Sequence, residues 1–126
     1  MAGTLTISTL SDGTNSTSST NCIQGSAKAW VNFNGTTTAT IRASYNVSSV
    51  TRIGTGQYTI SFTNAMSDAN YSIVGLTDSQ SGDTTNALVQ ISTQSVNPSA
   101  SSFQIYTVLG SQQVVDRTYV CLSIFR

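Results

Sequence analysis

Apolar residues recur at every second position through much of this chain, a period that admits β-strands and not amphipathic helices. Ala27, Ala29, Val31 and Phe33 alternate with Lys28, Trp30 and Asn32. Tyr58, Ile60 and Phe62 repeat the pattern, and Val120, Leu122 and Ile124 end the chain on it. Between Ala27 and Phe62 the punctuation is that of a β-meander. Asn34-Gly35 is a strong hairpin signal because both residues tolerate positive φ, so Thr36–Ile41 reads as the strand returning after Ser26–Phe33. Tyr45–Val50 continues it, with room for a bulge at Ser48-Ser49. Gly54-Thr55-Gly56 then turns the chain into Gln57–Thr63.

Further strands are predicted at Thr4–Thr9, Tyr71–Leu76, Ala87–Ile91, Phe103–Leu109 and Thr118–Phe125. Tyr71–Leu76 is nearly continuously apolar, the pattern of a central strand covered on both faces, with Gly75 at a bulge or close approach. Met66 is the expected plug beneath the turn formers of Asn64–Asn70. In Phe103–Leu109, Phe103, Ile105, Thr107 and Leu109 face one way, and Tyr106 and Val108 the other. No window carries a helical stripe. Short strands at this spacing, separated by turn signals, predict an all-β fold, an antiparallel β-sandwich of jelly-roll-like character. Residues 1–25 include the polar run Ser11–Asn21 and read as an extended N-terminal arm before one domain of residues 26–126.

Only 8% of residues are charged, against about 25% in an average soluble domain. Five Lys and Arg balance five acidic residues for a formal net charge of zero, so no basic footprint for nucleic acid is present. No apolar run approaches the ~20 residues of a membrane span. Met-Ala-Gly-Thr-Leu lacks the basic and apolar regions of a secretory leader. The exterior this composition predicts is rich in hydroxyls and amides, as in rigid β proteins that live in an assembly. Cys22 and Cys121 lack metal or redox spacing and are expected to be free thiols, with Cys121 as a small core filler.

Catalytic groups are scarce. The chain has no histidine and no glutamate, which removes Ser-His-Asp and Cys-His machinery and histidine metal sites. Asp12, Asp68, Asp78, Asp83 and Asp116 all fall in expected turns, where aspartate ordinarily bonds its own backbone. Asp78–Asp83 lacks the spacing and closing glutamate of a calcium loop. Gly54–Gly56 precedes no helix and is a turn, not a phosphate cradle. Sequons at Asn15, Asn34, Asn46 and Asn70 follow from a Ser/Thr-rich composition. No catalytic residue, metal or cofactor is expected.

Two aromatics stand out of phase with the core alternation. Trp30 and Tyr106, with Asn, Gln and Asp nearby, have the makings of a glycan platform. Trp30, flanked by Ala27, Ala29 and Val31, is better suited to an interface core. Trp30 and Val108, on second faces that a lone sandwich would leave exposed, together with Leu5 and Ile7 of the arm, are the candidate subunit interface. Tyr106 is open to either role.

Four stretches carry a family resemblance: AKAWVNFNG (27–35), IRASYNVSSVT (41–51), GTGQYTISFTNAMSDANYSIVG (54–75) and the terminal SIFR (123–126). In this order they resemble the C-terminal domain of bacteriophage tail-fibre-like proteins, of the marine and cyanobacterial phage type. The likeness is dense from Ser26 to Gly75, thins from Leu76 to Tyr119 and returns at the last strand. Family members read Thr-Asp-Asn-Gly-Thr-Gly-Asp where this chain has Thr51–Gln57, TRIGTGQ. The resemblance implies a non-enzymatic virion structural protein, a homotrimeric receptor-binding or host-attachment head. It would be assembled in host cytoplasm, released by lysis, and meet a host surface glycan or protein. By that analogy the loops Thr77–Asn86, Ser92–Ser102 and Gly110–Arg117 carry recognition at a distal end. Their candidate contacts are Asp78, Gln80, Asp83, Thr85, Asn97, Ser99, Gln112 and Gln113, with Tyr106. A short arm in place of a fibre shaft also suits a capsid decoration (cement) protein, with residues 1–25 docking on other virion proteins by strand addition. A glycan-active enzyme domain is a third reading, disfavoured by the scattered aspartates.

Overall fold

The computed structural model describes residues 3–83, 86–93 and 96–126. In chain order the elements are β1 (Thr9–Ser11), β2 (Ser16–Ser18), α1 (Ser19–Gly25), β3 (Ala27–Asn34), β4 (Thr40–Tyr45), β5 (Val47–Gly54), β6 (Gln57–Phe62), β7 (Ser72–Thr77), β8 (Ala87–Ser92), β9 (Ser102–Leu109) and β10 (Val120–Phe125). β1 and β2 pair alone. The others form two four-stranded antiparallel sheets, in the orders β4-β3-β10-β7 and β5-β6-β9-β8. The fold is an all-β sandwich.

Period-2 patterning sets the inner faces. Ala29, Val31, Phe33, Val120, Leu122 and Ile124 of the first sheet meet Val47, Val50, Tyr58, Ile60, Phe62, Phe103 and Ile105 of the second, all buried. Phe33 stands edge-on to Tyr58 across the layers, ring centroids 5.1 Å apart, the geometry the ring quadrupoles favour. Met66 plugs the layer at one end, as expected. At Gly75 an added Cβ would lie 2.8 Å from Leu122 and 3.0 Å from Val89, a close approach between layers.

The expected single meander is instead two hairpins, β3–β4 in one sheet and β5–β6 in the other. The chain changes layers at Asn46, whose φ of 55° lies in the left-handed region. Its amide donates to Lys28 O (3.2 Å) and Asn64 O (3.1 Å) and accepts from Asn64 N–H (2.8 Å). That corner ties the start of β3 to the end of β6. The bulge forms at the predicted place, between Val47 and Ser49.

Asn34-Gly35 is not a two-residue turn. β4 begins at Thr40, and the positive φ falls on Thr37. Asn34 Oδ1 accepts from Thr36 N–H (3.0 Å) as an Asx turn. Gly35 is buried, its N–H donates to Arg117 O (2.8 Å), and a Cβ there would sit 2.3 Å from Tyr58 Oη. Close packing against a core tyrosine, not turn geometry, selects glycine here.

β7 is an edge strand, not a central one: Ile73 faces the core while Val74 and Leu76 are exposed. Cys121 points outward and is exposed, because the inward positions of β10 are Val120, Leu122 and Ile124; both cysteines are free.

Residues 3–25 differ from an extended arm. The strand expected at Thr4–Thr9 begins only at Thr9, and the polar run folds. Asp12 Oδ1 accepts from Thr14 and Asn15 N–H (2.9 and 2.7 Å) to close the β1–β2 turn, and Gly13 takes a φ of 96°. Ser18 caps α1 by accepting from Asn21 N–H (3.1 Å), the usual N-cap exchange. This seven-residue helix had no periodic signal because none of its residues is buried. None of residues 3–25 is buried, and Leu5, Ile7, Leu10 and Ile23 are exposed.

Candidate functional site: a glutamine-lined depression at Tyr106

The registers define two ends. At the proximal end β3 begins beside the N-terminal segment, β10 stops, and residues 63–71 and 96–101 lie together. Met66 N–H donates to Ala100 O (2.8 Å), Phe62 N–H to Ser101 O (2.9 Å), and Tyr71 Oη to Ser99 O (3.0 Å). Arg126 holds Asp68 there through two hydrogen bonds. At the distal end lie the 35–39 connection, the β5–β6 turn, the 78–83 loop and the residues before β10. Tyr58 Oη donates to Gly35 O (3.0 Å) and Asp78 N–H to Tyr119 O (3.1 Å).

β9 runs between β6 and β8, so its inward residues Phe103, Ile105 and Thr107 leave Gln104, Tyr106 and Val108 on the outer face. Across the ladder Tyr106 is flanked by Gln57 and Gln90, and Gln104 by Thr59 and Ser92. Gln104 donates its amide to Thr59 Oγ1 (3.1 Å). Beyond Tyr106, β6 has ended and residues 113–115 take its place beside β9. Val108 bridges Val114, Leu109 N–H donates to Gln113 O (2.9 Å) and Val115 N–H to Thr107 O (3.0 Å). The return is tight: Gln112 has a φ of 65° and donates its N–H to Leu109 O (2.8 Å). A non-glycine residue there costs on the order of 1 kcal/mol, a strain found where a loop is held in one shape.

The folded-back segment walls a depression of about 240 Å³ lined by Gln57, Gln90, Tyr106, Val108, Gln112 and Val114. No side chain of the three glutamines, nor the Tyr106 hydroxyl, enters a hydrogen bond among the described residues. Gln104 and Gln80, by contrast, spend their amides on neighbours.

Asp116 fastens this wall to the sheet. Oδ1 accepts from Gly56 N–H (2.7 Å), Arg52 Nε (3.0 Å) and Tyr58 Oη (3.1 Å), and Oδ2 accepts from Arg52 Nη2 (2.8 Å). Burial alone would push this carboxyl up, but Arg52, the Gly56 amide and Tyr58 outweigh it and hold it below the usual range. Tyr58 is pushed up to about 12, chiefly by burial, with the Asp116 charge acting in the same direction. Next door, Arg117 is buried and donates from Nη1 to Asp83 (2.7 Å). Its Nε and Nη2 find no partner among the described residues. The Arg117 guanidinium holds the Asp83 carboxyl below its ordinary value.

The sequence-predicted contacts separate on this frame. Asp78 accepts from Thr118 and from Tyr119 N–H (3.2 Å), and Asp83 is bound to Arg117. These two carboxylates hold the 78–83 loop to the start of β10 and are spent as staples. Gln80 is exposed at that loop's tip, its amide reaching Asp78 and Thr118. Thr85 lies outside the described residues. Asn97 and Ser99 sit at the proximal end, with Ser99 in a local hydroxyl turn, so the described part of that loop, residues 96–102, does not join the other two. Gln112 and Tyr106 do meet, in the depression, with Gln113 exposed beside them. Val108 is buried within the chain by Val114, which removes it from the candidate subunit interface.

Trp30 is 39% exposed on the outer face of the first sheet, not sealed between the layers. It pairs across β4 with Tyr45, and shares its face with exposed Val74 and Leu76. Tyr106 is on the outer face of the other sheet, so the two aromatics face away from each other. Gln57 and Gln90 were missed, though each occupies an outward period-2 position in a strand that the alternation identifies.

Compared with protein-family models, curated proteins and solved structures, the chain shows no match. Its geometry is what supports a function.

Proposed function

We propose that the protein is a non-enzymatic binding module of a bacteriophage virion, an attachment domain that is held at its proximal end and meets a host surface molecule at its distal end. The observation that carries this is the division of labour between the ends. The N-terminal segment presents Leu5, Ile7, Leu10 and Ile23 unburied, while the outer face of the second sheet, beside the distal β5–β6 turn, presents an uncharged, walled depression. All five aspartates bond to neighbouring donors. That is a scaffold's use of carboxylates, not that of a hydrolase with a free acid–base pair. The virion location rests on the resemblance of residues 26–75 and 123–126 to tail-fibre-like domains.

Homotrimerisation belongs to the same proposal. Exposed Trp30 and Tyr45, and across β10 exposed Val74 and Leu76, share the outer face of one sheet, and exposed large apolar side chains on one face mark interaction sites. The test is gold-labelled antibody on intact particles, together with competition between purified protein and phage for host cells. Label at the tail tip and reduced adsorption are expected; label on the head with no competition refutes attachment.

The second reading, a capsid decoration protein, is favoured by the unburied residues 3–25, which would dock on shell proteins. Deleting residues 1–21 should then abolish capsid recruitment, and capsids that still take up the truncated protein refute it.

A further inference from the structure

We propose that the depression around Tyr106 is a subsite for one residue of a neutral sugar chain. This deepens the attachment reading and rests on it. The depression holds an aromatic ring on the strand ladder between Gln57 and Gln90, with Gln112 on the facing wall. A sugar ring offers an apolar face of C–H groups, which stacks on an aromatic ring. Its rim of hydroxyls each donate and accept. Glutamine amides match that rim, because each carries two N–H donors and a carbonyl with two lone pairs. Here those groups are unspent within the described chain.

Charge and size narrow the ligand. No charged side chain lines the depression, and the Arg52–Asp116 pair that fastens its wall is closed on itself at 2.8 Å. An acidic sugar would find no cation and a peptide terminus no counter-charge. The volume of about 240 Å³ falls below the ~300 Å³ at which drug-sized sites begin, the scale of one sugar ring held in the depression. The wall is already built: the left-handed Gln112, the Val108–Val114 bridge and the Asp116 bonds fix it without a ligand, so little ordering cost is left for binding.

The experiment is titration of isotope-labelled full-length protein with the methyl glycosides of glucose, galactose, mannose and N-acetylglucosamine, followed by NMR, with methyl glucuronide as the charged control. At least one neutral glycoside should shift the side-chain amides of Gln57, Gln90 and Gln112 with an affinity in roughly the millimolar range, as a single-ring ligand warrants. Tyr106→Ala should weaken it about tenfold or more, as loss of a central aromatic contact does. Gln90→Ala removes an exposed amide with no internal bond. It should leave the thermal midpoint in place and weaken binding severalfold, which separates recognition from folding. Shifts absent from the depression, equal affinity in both variants, or preference for the glucuronide would overturn the proposal. Cell adsorption that the protein blocks while no glycoside enters the depression overturns the sugar subsite and leaves attachment standing. Failure of both overturns both.

Discussion

Removing the carboxylate of Asp116 tests how the wall of the depression is held. In Asp116→Ala, the Gly56 N–H, a buried group whose bond to Oδ1 is 2.7 Å, is left without its acceptor. An unsatisfied buried donor costs about 1–3 kcal/mol. The single Tyr58 Oη proton, shared between Asp116 Oδ1 (3.1 Å) and Gly35 O (3.0 Å), passes wholly to Gly35 O and adds little. The Arg52 contact is about a quarter exposed on both sides and adds little, because solvent screens it. The loss is therefore about 1–3 kcal/mol, or roughly 4–12 °C in thermal midpoint for a domain between the sizes usually tabulated. Chemical denaturation gives the free energy, and amide exchange shows where it is lost. Protection should fall at Gly56, Thr107 and Val115 before the β3–β10 ladder responds. Asp116→Asn keeps an acceptor for Gly56 and Tyr58 and should lose much less than the alanine variant. A loss under about 1 kcal/mol for Asp116→Ala, or equal losses in both variants, would refute the account of Asp116 as the fastener.

Asn46→Ala should cost about 2–4 kcal/mol, from three amide hydrogen bonds at about 1 kcal/mol each and a left-handed φ that alanine tolerates poorly; an equilibrium urea curve measures it, and a loss near zero would contradict the corner. Stability should be flat from about pH 5 to 9, since the chain has no histidine and its ordinary carboxylates titrate near 3.9. The folded-state pKa values of Asp68, Asp78, Asp83 and Asp116 are lowered, so their contribution is present above the unfolded value and is lost as pH falls through the folded ones. Tyr58 and Tyr71 are raised to about 12, so theirs is full below the unfolded value of about 10 and is lost as pH rises from there through the folded value of about 12. A thermal-midpoint profile that bends near pH 6–7 would show an ionisation not accounted for. Leu76→Asp, on the exposed outer face of β7, should leave the monomer fold intact and abolish self-association in sedimentation; an unchanged sedimentation coefficient would remove that face from the interface.

What alternation could encode was legible. β3, β6 and β10 lie where their apolar periods put them, because one face of each is buried and a slip by one residue would expose it. Met66 was legible as a lone apolar residue among turn formers, and Gly75 as a glycine inside an apolar strand. The change of layer at Asn46 was not, since it depends on an amide meeting Lys28 and Asn64, contacts that no local window contains. Asn34-Gly35 misled because Tyr58, distant in sequence, demands the glycine for space. Val108 looked like surface until Val114 folded over it. Half of the depression was visible as an out-of-phase Tyr106 and a polar loop. The other half, Gln57 and Gln90, needed the pairing of β9 with both β6 and β8, which the strand pattern leaves open.

The β3–β10 ladder has a mechanical consequence for any domain pulled between its two ends. β3 begins at the proximal end with Ala27, and β10 begins at the distal end with Val120, paired to Phe33. Tension entering through the N-terminal segment and leaving through the chain that follows Tyr106 would drag these neighbours in opposite directions along their length. Ladder hydrogen bonds lie across the strands, so such a pull loads the whole row in parallel and does not unzip it bond by bond. A domain wired this way resists sudden force along its long axis and yields readily to peeling from the side.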